Sequence, residues 1–104
     1  MAMQHQSEGR VELQITMEKA FTVSDDAVES RLGDETVLLH LESGVYFGLD
    51  AVGTRVWELL REGASAVVIC ETLRQEYADA GESLEVDILG FLGELIDNKL
   101  IHEI

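Results

Sequence analysis

The sequence predicts an α+β fold, a three-stranded antiparallel sheet followed by three helices, with room for a fourth short strand before the hairpin. Three observations carry this. Thr36–Leu41 and Val45–Leu49 are apolar runs divided by Glu42-Ser43-Gly44, the clearest hairpin signal in the chain. After Asp50 the apolar period changes from that of a strand to that of a helix. Asp50, Ser65 and Ser83 each stand just before a helical run, where a short oxygen-bearing side chain takes a free N–H of the first turn.

Taken in order, residues 1–10 (MAMQHQSEGR) are polar and unpatterned and read as a flexible tail, and 11–104 read as one domain. Val11, Leu13, Ile15 and Met17 alternate with polar residues, the pattern of a half-buried strand that Phe21–Val23 extends. Ser24-Asp25-Asp26 and Gly33-Asp34 are turn clusters around a short strand at Val28–Leu32. The hairpin follows. The first helix runs from about 50 to 62 and stops at Gly63, and its inward face carries Val56, Leu59 and Leu60 with Trp57 beside them. The second runs from Ser65 through Ile69 and Leu73 to near Gly81, and the third from Ser83 to about Lys99. Leu100–Ile104 reads as a short extended tail.

The bulk numbers exclude several function classes. The chain has 104 residues, enough for one core without disulfides or metal. Seven basic against 21 acidic residues leave a net charge of −14. Nucleic-acid binding rests on clustered cations that neutralise phosphates, so neither nucleic acid nor an anionic membrane is expected as a partner. A basic or apolar peptide suits the charge better. Cys70 is alone, which rules out an intramolecular disulfide and a multi-cysteine metal site. No nucleophile pair, phosphate-cradling loop or metal-ligand spacing occurs, so the sequence predicts neither an enzyme nor a bound cofactor or metal. A carrier protein is disfavoured because only 21 residues follow Ser83 in Gly81-Glu82-Ser83-Leu84, too few for the helices a carrier needs there. No run approaches the ~20 apolar residues of a membrane span, so the expected location is the cytoplasm.

Two features point to binding. A sheet this small leaves its last strand, Val45–Leu49, at an edge, where unpaired backbone groups can take up another extended chain. The third helix is also more apolar than its own core requires. Phe91, Leu95, Ile88 and Leu92 form a sufficient stripe at ~100° per residue, while Val86, Leu89, Gly93, Ile96 and Leu100 widen the apolar arc to roughly 220°. Gly90 and Gly93 each cost about 1 kcal/mol relative to alanine, which suggests the close approach of another backbone.

Leu38–Leu49 (LLHLESGVYFGL), Gly53–Leu60 (GTRVWELL) and Val86–Ile101 (VDILGFLGELIDNKLI) together resemble the PqqD-like family, the RiPP recognition elements of ribosomal peptide maturation. The departures are Asp50, where the family more often has asparagine, and Lys99, where glycine is common. The resemblance implies a winged helix-turn-helix-like domain with no catalytic role. It implies that the leader segment of a precursor peptide adds as a strand between the last strand and the third helix, and is presented to a modifying enzyme, either a radical-SAM enzyme or a lasso-type leader peptidase. Carried onto this chain, the peptide-binding residues are Val45, Tyr46, Phe47, Gly48 and Leu49 on the strand and Val86, Leu89, Gly93 and Ile96 on the helix. The alternative is an interaction or oligomerisation module without a leader ligand, since an open edge also pairs with a second copy to form a homodimer.

Overall fold

A computed structural model describes residues 19–77, 79 and 81–104. The tail expected at 1–10 and the strand expected at Val11–Met17 lie outside the described residues. Five strands and three helices follow: β1 (Phe21–Val23), β2 (Ala27–Leu32), β3 (Glu35–His40), β4 (Tyr46–Leu49), α1 (Ala51–Arg61), α2 (Ala66–Glu76), α3 (Leu84–Asp97) and β5 (Ile101–Glu103).

The expected three-stranded antiparallel sheet is β2-β3-β4, with β3 in the middle. Its pleat sorts the side chains. Thr36, Leu38 and His40 of β3 face inward and are buried, and Leu38 and Thr36 stand opposite Phe47 and Leu49 of β4. Leu39 and Val37 face outward, opposite Tyr46 and Gly48. Burial of Leu38, Trp57, Ile69, Leu73 and Leu92 joins the sheet and the helices in one core.

Phe21–Val23 is a strand, as the sequence indicates, and it lies outside the three-stranded sheet. It forms a separate two-stranded antiparallel sheet with β5, in the register Phe21↔Glu103, Thr22↔His102, Val23↔Ile101. The C-terminal tail is therefore a strand, and Phe21, Leu100 and Ile101 are fully buried beneath it. Ser24 N–H to the Leu100 carbonyl (2.8 Å) and Ile104 N–H to that of Ala20 (3.1 Å) close both ends.

The helix ends follow local chemistry, with two exceptions. Asp50 caps α1 by accepting the Gly53 N–H at 2.8 Å, and Ser65 caps α2 through Val68. α1 ends in a Schellman turn on Gly63 (φ +89°), with Gly63 bonded to the Leu60 carbonyl and Ala64 to that of Leu59. α3 ends in the same turn with lysine in the glycine position. Lys99 has φ +62°, bonds to the Ile96 carbonyl, and is followed by the Leu100-to-Leu95 bond. The helix thus stops where the sequence indicated, at the cost of a left-handed lysine, about 1 kcal/mol or somewhat more. The exceptions flank the loop between α2 and α3. α2 ends at Glu76, not near Gly81, because Tyr77 turns into an extended conformation. Ser83 precedes α3 but makes no capping bond; its hydroxyl donates to the Asp87 carboxylate at 3.2 Å instead.

Candidate functional site

The hairpin that delivers β4 is braced from within. Gly44 adopts φ +74°, and its N–H meets the His40 carbonyl at 2.8 Å. The buried His40 ring accepts the Ser43 N–H on Nδ1 at 3.2 Å, and the Ser43 hydroxyl accepts the Val45 N–H at 3.3 Å. Asp26, His40 and Glu42 bring potential metal ligands within 4.8 Å of one another. His40 Nδ1 is already engaged in the turn, accepting the Ser43 N–H and lying 3.3 Å from the Ser43 hydroxyl.

The ladder fixes which backbone groups of β4 are open. His40 donates to the Val45 carbonyl at 3.0 Å, which makes these two a hydrogen-bonded pair just beyond β4. Alternation along an antiparallel ladder gives the same status to Leu38–Phe47 and Thr36–Leu49. The N–H and C=O groups of Tyr46 and Gly48 therefore point away from β3, to an edge that no strand among the described residues covers. Both residues are exposed, Tyr46 by 69%.

Beside this edge lies a groove of about 670 Å³ between the end of β4, the start of α1, the end of α2 and one flank of α3. Leu49, Val56, Leu73, Ile88 and Phe91 give it apolar walls. Gly53 sits at its narrowest part. A Cβ there would lie 3.3 Å from both the Leu49 Cβ and Asp50 Oδ1, and 3.5 Å from the edge of the Phe91 ring. The glycine of the Gly-x-x-x-Trp segment thus lets the β4–α1 corner and Phe91 meet. Asp50, Asp79, Asp87 and Glu94 line the same groove, and among the described residues no Lys, Arg or His does.

The structure brings only part of the expected site together. Gly48 and Leu49 line the groove; Val45, Tyr46 and Phe47 continue the same edge away from it, with Phe47 half-buried against the core. Val86, Leu89, Gly93 and Ile96 do not line it. The buried stripe of α3 is Leu84, Ile88, Leu92 and Leu95, which keeps three of the four expected core residues, and the fourth, Phe91, is half-buried against the core. At ~100° per residue, Asp87, Phe91 and Glu94 fall on the flank beside β4, and the four expected residues fall on the opposite flank. Leu89 and Ile96 there are half-buried against the core, while Val86 is 65% exposed. Nothing among the described residues comes within 4 Å of a Cβ built on Gly90 or Gly93, so no backbone of the fold itself approaches them closely. Sequence reasoning missed Gly53 and the groove role of Phe91. The stripe itself points in nearly the direction the sequence indicates, and the apolar residues on both of its sides gave no signal of which flank borders the groove.

Nothing in the site suggests a nucleophile. Cys70 is buried, and desolvation pushes its thiol up from the ordinary range, away from the reactive thiolate. No helix among the described residues is long and apolar enough to cross a membrane.

A family model described as coenzyme PQQ synthesis protein D (PqqD) matches residues 35–101. Among solved structures, the chain is similar to one described as TbiB1 in complex with the TbiA(beta) leader peptide. The two are 41% identical over 78% of this chain and 94% of that one, with a TM-score of 0.71. A second, described as lasso peptide synthetase B1 complexed with the leader peptide, is 24% identical over 79% of this chain and 96% of that one, with a TM-score of 0.69, and shares the fold. No curated protein matches the chain.

Proposed function

The chain belongs to the PqqD family, and from that premise we propose that it binds the leader segment of a ribosomally made precursor peptide without catalysing a reaction on it. The leader adds as a fourth strand on β4. Backbone bonds to Tyr46 and Gly48 supply affinity that is indifferent to sequence, and alternate leader side chains drop into the groove and supply selectivity. In this reading α3 meets the peptide through Phe91 and its neighbours on the groove flank, and the Val86–Leu89–Gly93–Ile96 flank is left to other contacts. The bound precursor is handed, in the cytoplasm, to a maturation enzyme of the radical-SAM or lasso-type leader-peptidase class.

The observation that carries this reading is the uncharged edge of β4, uncovered by any described strand, running into a groove with apolar walls. A leader peptide bound to a 41%-identical relative supports it. The test is an amide chemical-shift titration with the TbiA(beta) leader. Saturable shifts concentrated at Tyr46, Gly48 and the groove flank of α3 are expected. Shifts confined to β2 or to the opposite flank, or no shifts at all, would overturn it. The same edge can also pair with a second copy of the chain, as a homodimer. Sedimentation across a concentration series separates the two, since a dimer through β4 would dissociate as peptide is added.

A further inference from the structure

We infer that the groove selects a leader segment carrying a lysine or arginine beside its apolar anchor, with the cationic head placed between Asp87 and Glu94 of α3. This rests on the proposed peptide binding and specifies the chemistry of the peptide.

The argument starts from the charge census of the groove. Among the described residues its lining holds four carboxylates and no cation. Asp50 is engaged in capping Gly53, and Asp87 takes only the Ser83 hydroxyl. Among the described residues Glu94 and Asp79 have neither an ion pair nor a side-chain hydrogen bond, and the four described arginines are committed elsewhere. Arg31 pairs with Glu58 at 2.8 Å, Arg55 with Glu76 at 2.8 Å, Arg61 with Glu29 at 3.0 Å and Arg74 with Glu85 at 3.2 Å. None of them lines the groove.

Helix electrostatics make Glu94 the informative member. Asp87 lies in the first turn of α3, where the exposed N–H groups favour a negative charge, so the helix by itself accounts for it. Glu94 lies in the last turn, where a carboxylate is disfavoured and where α3 has no basic residue. Its placement makes sense if a cation comes from outside. Phe91 lies between the two carboxylates on the same flank and offers an apolar surface for the aliphatic stem of a lysine or arginine, leaving the charged head at the rim.

The test uses the TbiA(beta) leader as parent, with each residue replaced in turn by arginine, glutamine or glutamate. Affinities are read by fluorescence polarisation at low and high salt. At one or two positions arginine should exceed glutamate by roughly ten-fold, the sum of attraction and repulsion at two exposed pairs. Salt should narrow the gap. In the Asp87→Asn, Glu94→Gln double variant the preference should collapse to about two-fold or less. If the parent binds on β4 but arginine and glutamate are equivalent at every position, the inference is wrong and the peptide-binding reading stands. If neither the parent nor any replacement binds, the peptide-binding reading itself fails.

Discussion

β2 and β4 form the two rims of one three-stranded sheet, yet β2 carries Glu29 and Arg31 in the run Ala-Val-Glu-Ser-Arg-Leu, whereas β4 reads Tyr-Phe-Gly-Leu with no charge. On β2 the charges are put to structural use against α1. Glu29 accepts the Trp57 indole N–H at 2.9 Å and pairs with Arg61, and Arg31 reaches Glu58. Charged residues on a rim also make it a poor template for a foreign strand. β4 has neither device, and its open groups adjoin the groove. The difference teaches that, among the described residues, one rim of this sheet is tied to α1 by charge and the other is left without a neighbour, with a single central strand serving both.

The comparison is most sharply broken by Gly48→Pro. The substitution removes an N–H that faces the open edge while leaving the bonds to β3 in place, and proline is tolerated at such edge positions. Leader affinity should fall by about 30-fold or more, corresponding to roughly 2 kcal/mol from a lost bond and a displaced backbone. Titration calorimetry reads this, with circular dichroism unchanged. Undiminished affinity would mean that the peptide does not pair with β4.

Glu29→Ala probes the other rim. It leaves the indole N–H of Trp57, a ring only 2% exposed, without its partner. Stability should fall by about 1–2 kcal/mol, read by urea unfolding through the fluorescence of the single tryptophan. Peptide affinity should stay within about two-fold, since no contact of β2 reaches the groove.

The smallest effect expected is electrostatic. Arg55 donates Nε and Nη2 bonds to Glu76 and also pairs with Glu58, so an ion-pair chain runs from α2 through α1 to β2. The Arg55 bonds hold the Glu76 carboxyl below its ordinary range. A depressed carboxyl stabilises the fold above the unfolded value of about 4.3, and this contribution disappears as pH falls through the lower folded value. Melting temperature should therefore be flat from pH 7 to about 5 and decline below it, and Glu76→Gln should soften that decline. An unchanged acid limb in the variant would show that the pair contributes nothing measurable.

Much of the fold was legible in the sequence because its signals are local. The turn at Glu42-Ser43-Gly44, the cap at Asp50 and the stop at Gly63 each act within a few residues, and all three stand where the sequence put them. Ser83 misled because a serine before a helix has two partners within reach, and here the Asp87 carboxylate takes its hydroxyl in place of a backbone N–H. At the candidate site, the edge position of β4 was readable, and which flank of α3 borders the groove was not. A helix apolar over more than half its circumference leaves open which side faces the sheet.

The amino-acid sequence by itself determined the order of elements, the position of the hairpin turn and a net charge of −14. Those properties follow from short-range periodicity and summed charge. Tertiary structure alone decided that Phe21–Val23 pairs with Ile101–Glu103, that Gly53 admits Phe91, and that Asp87, Phe91 and Glu94 form the helix side of the groove. Each of these depends on residues tens of positions apart packing together. The rotation of α3 in particular is fixed by the shared burial of Leu84, Ile88, Leu92 and Leu95.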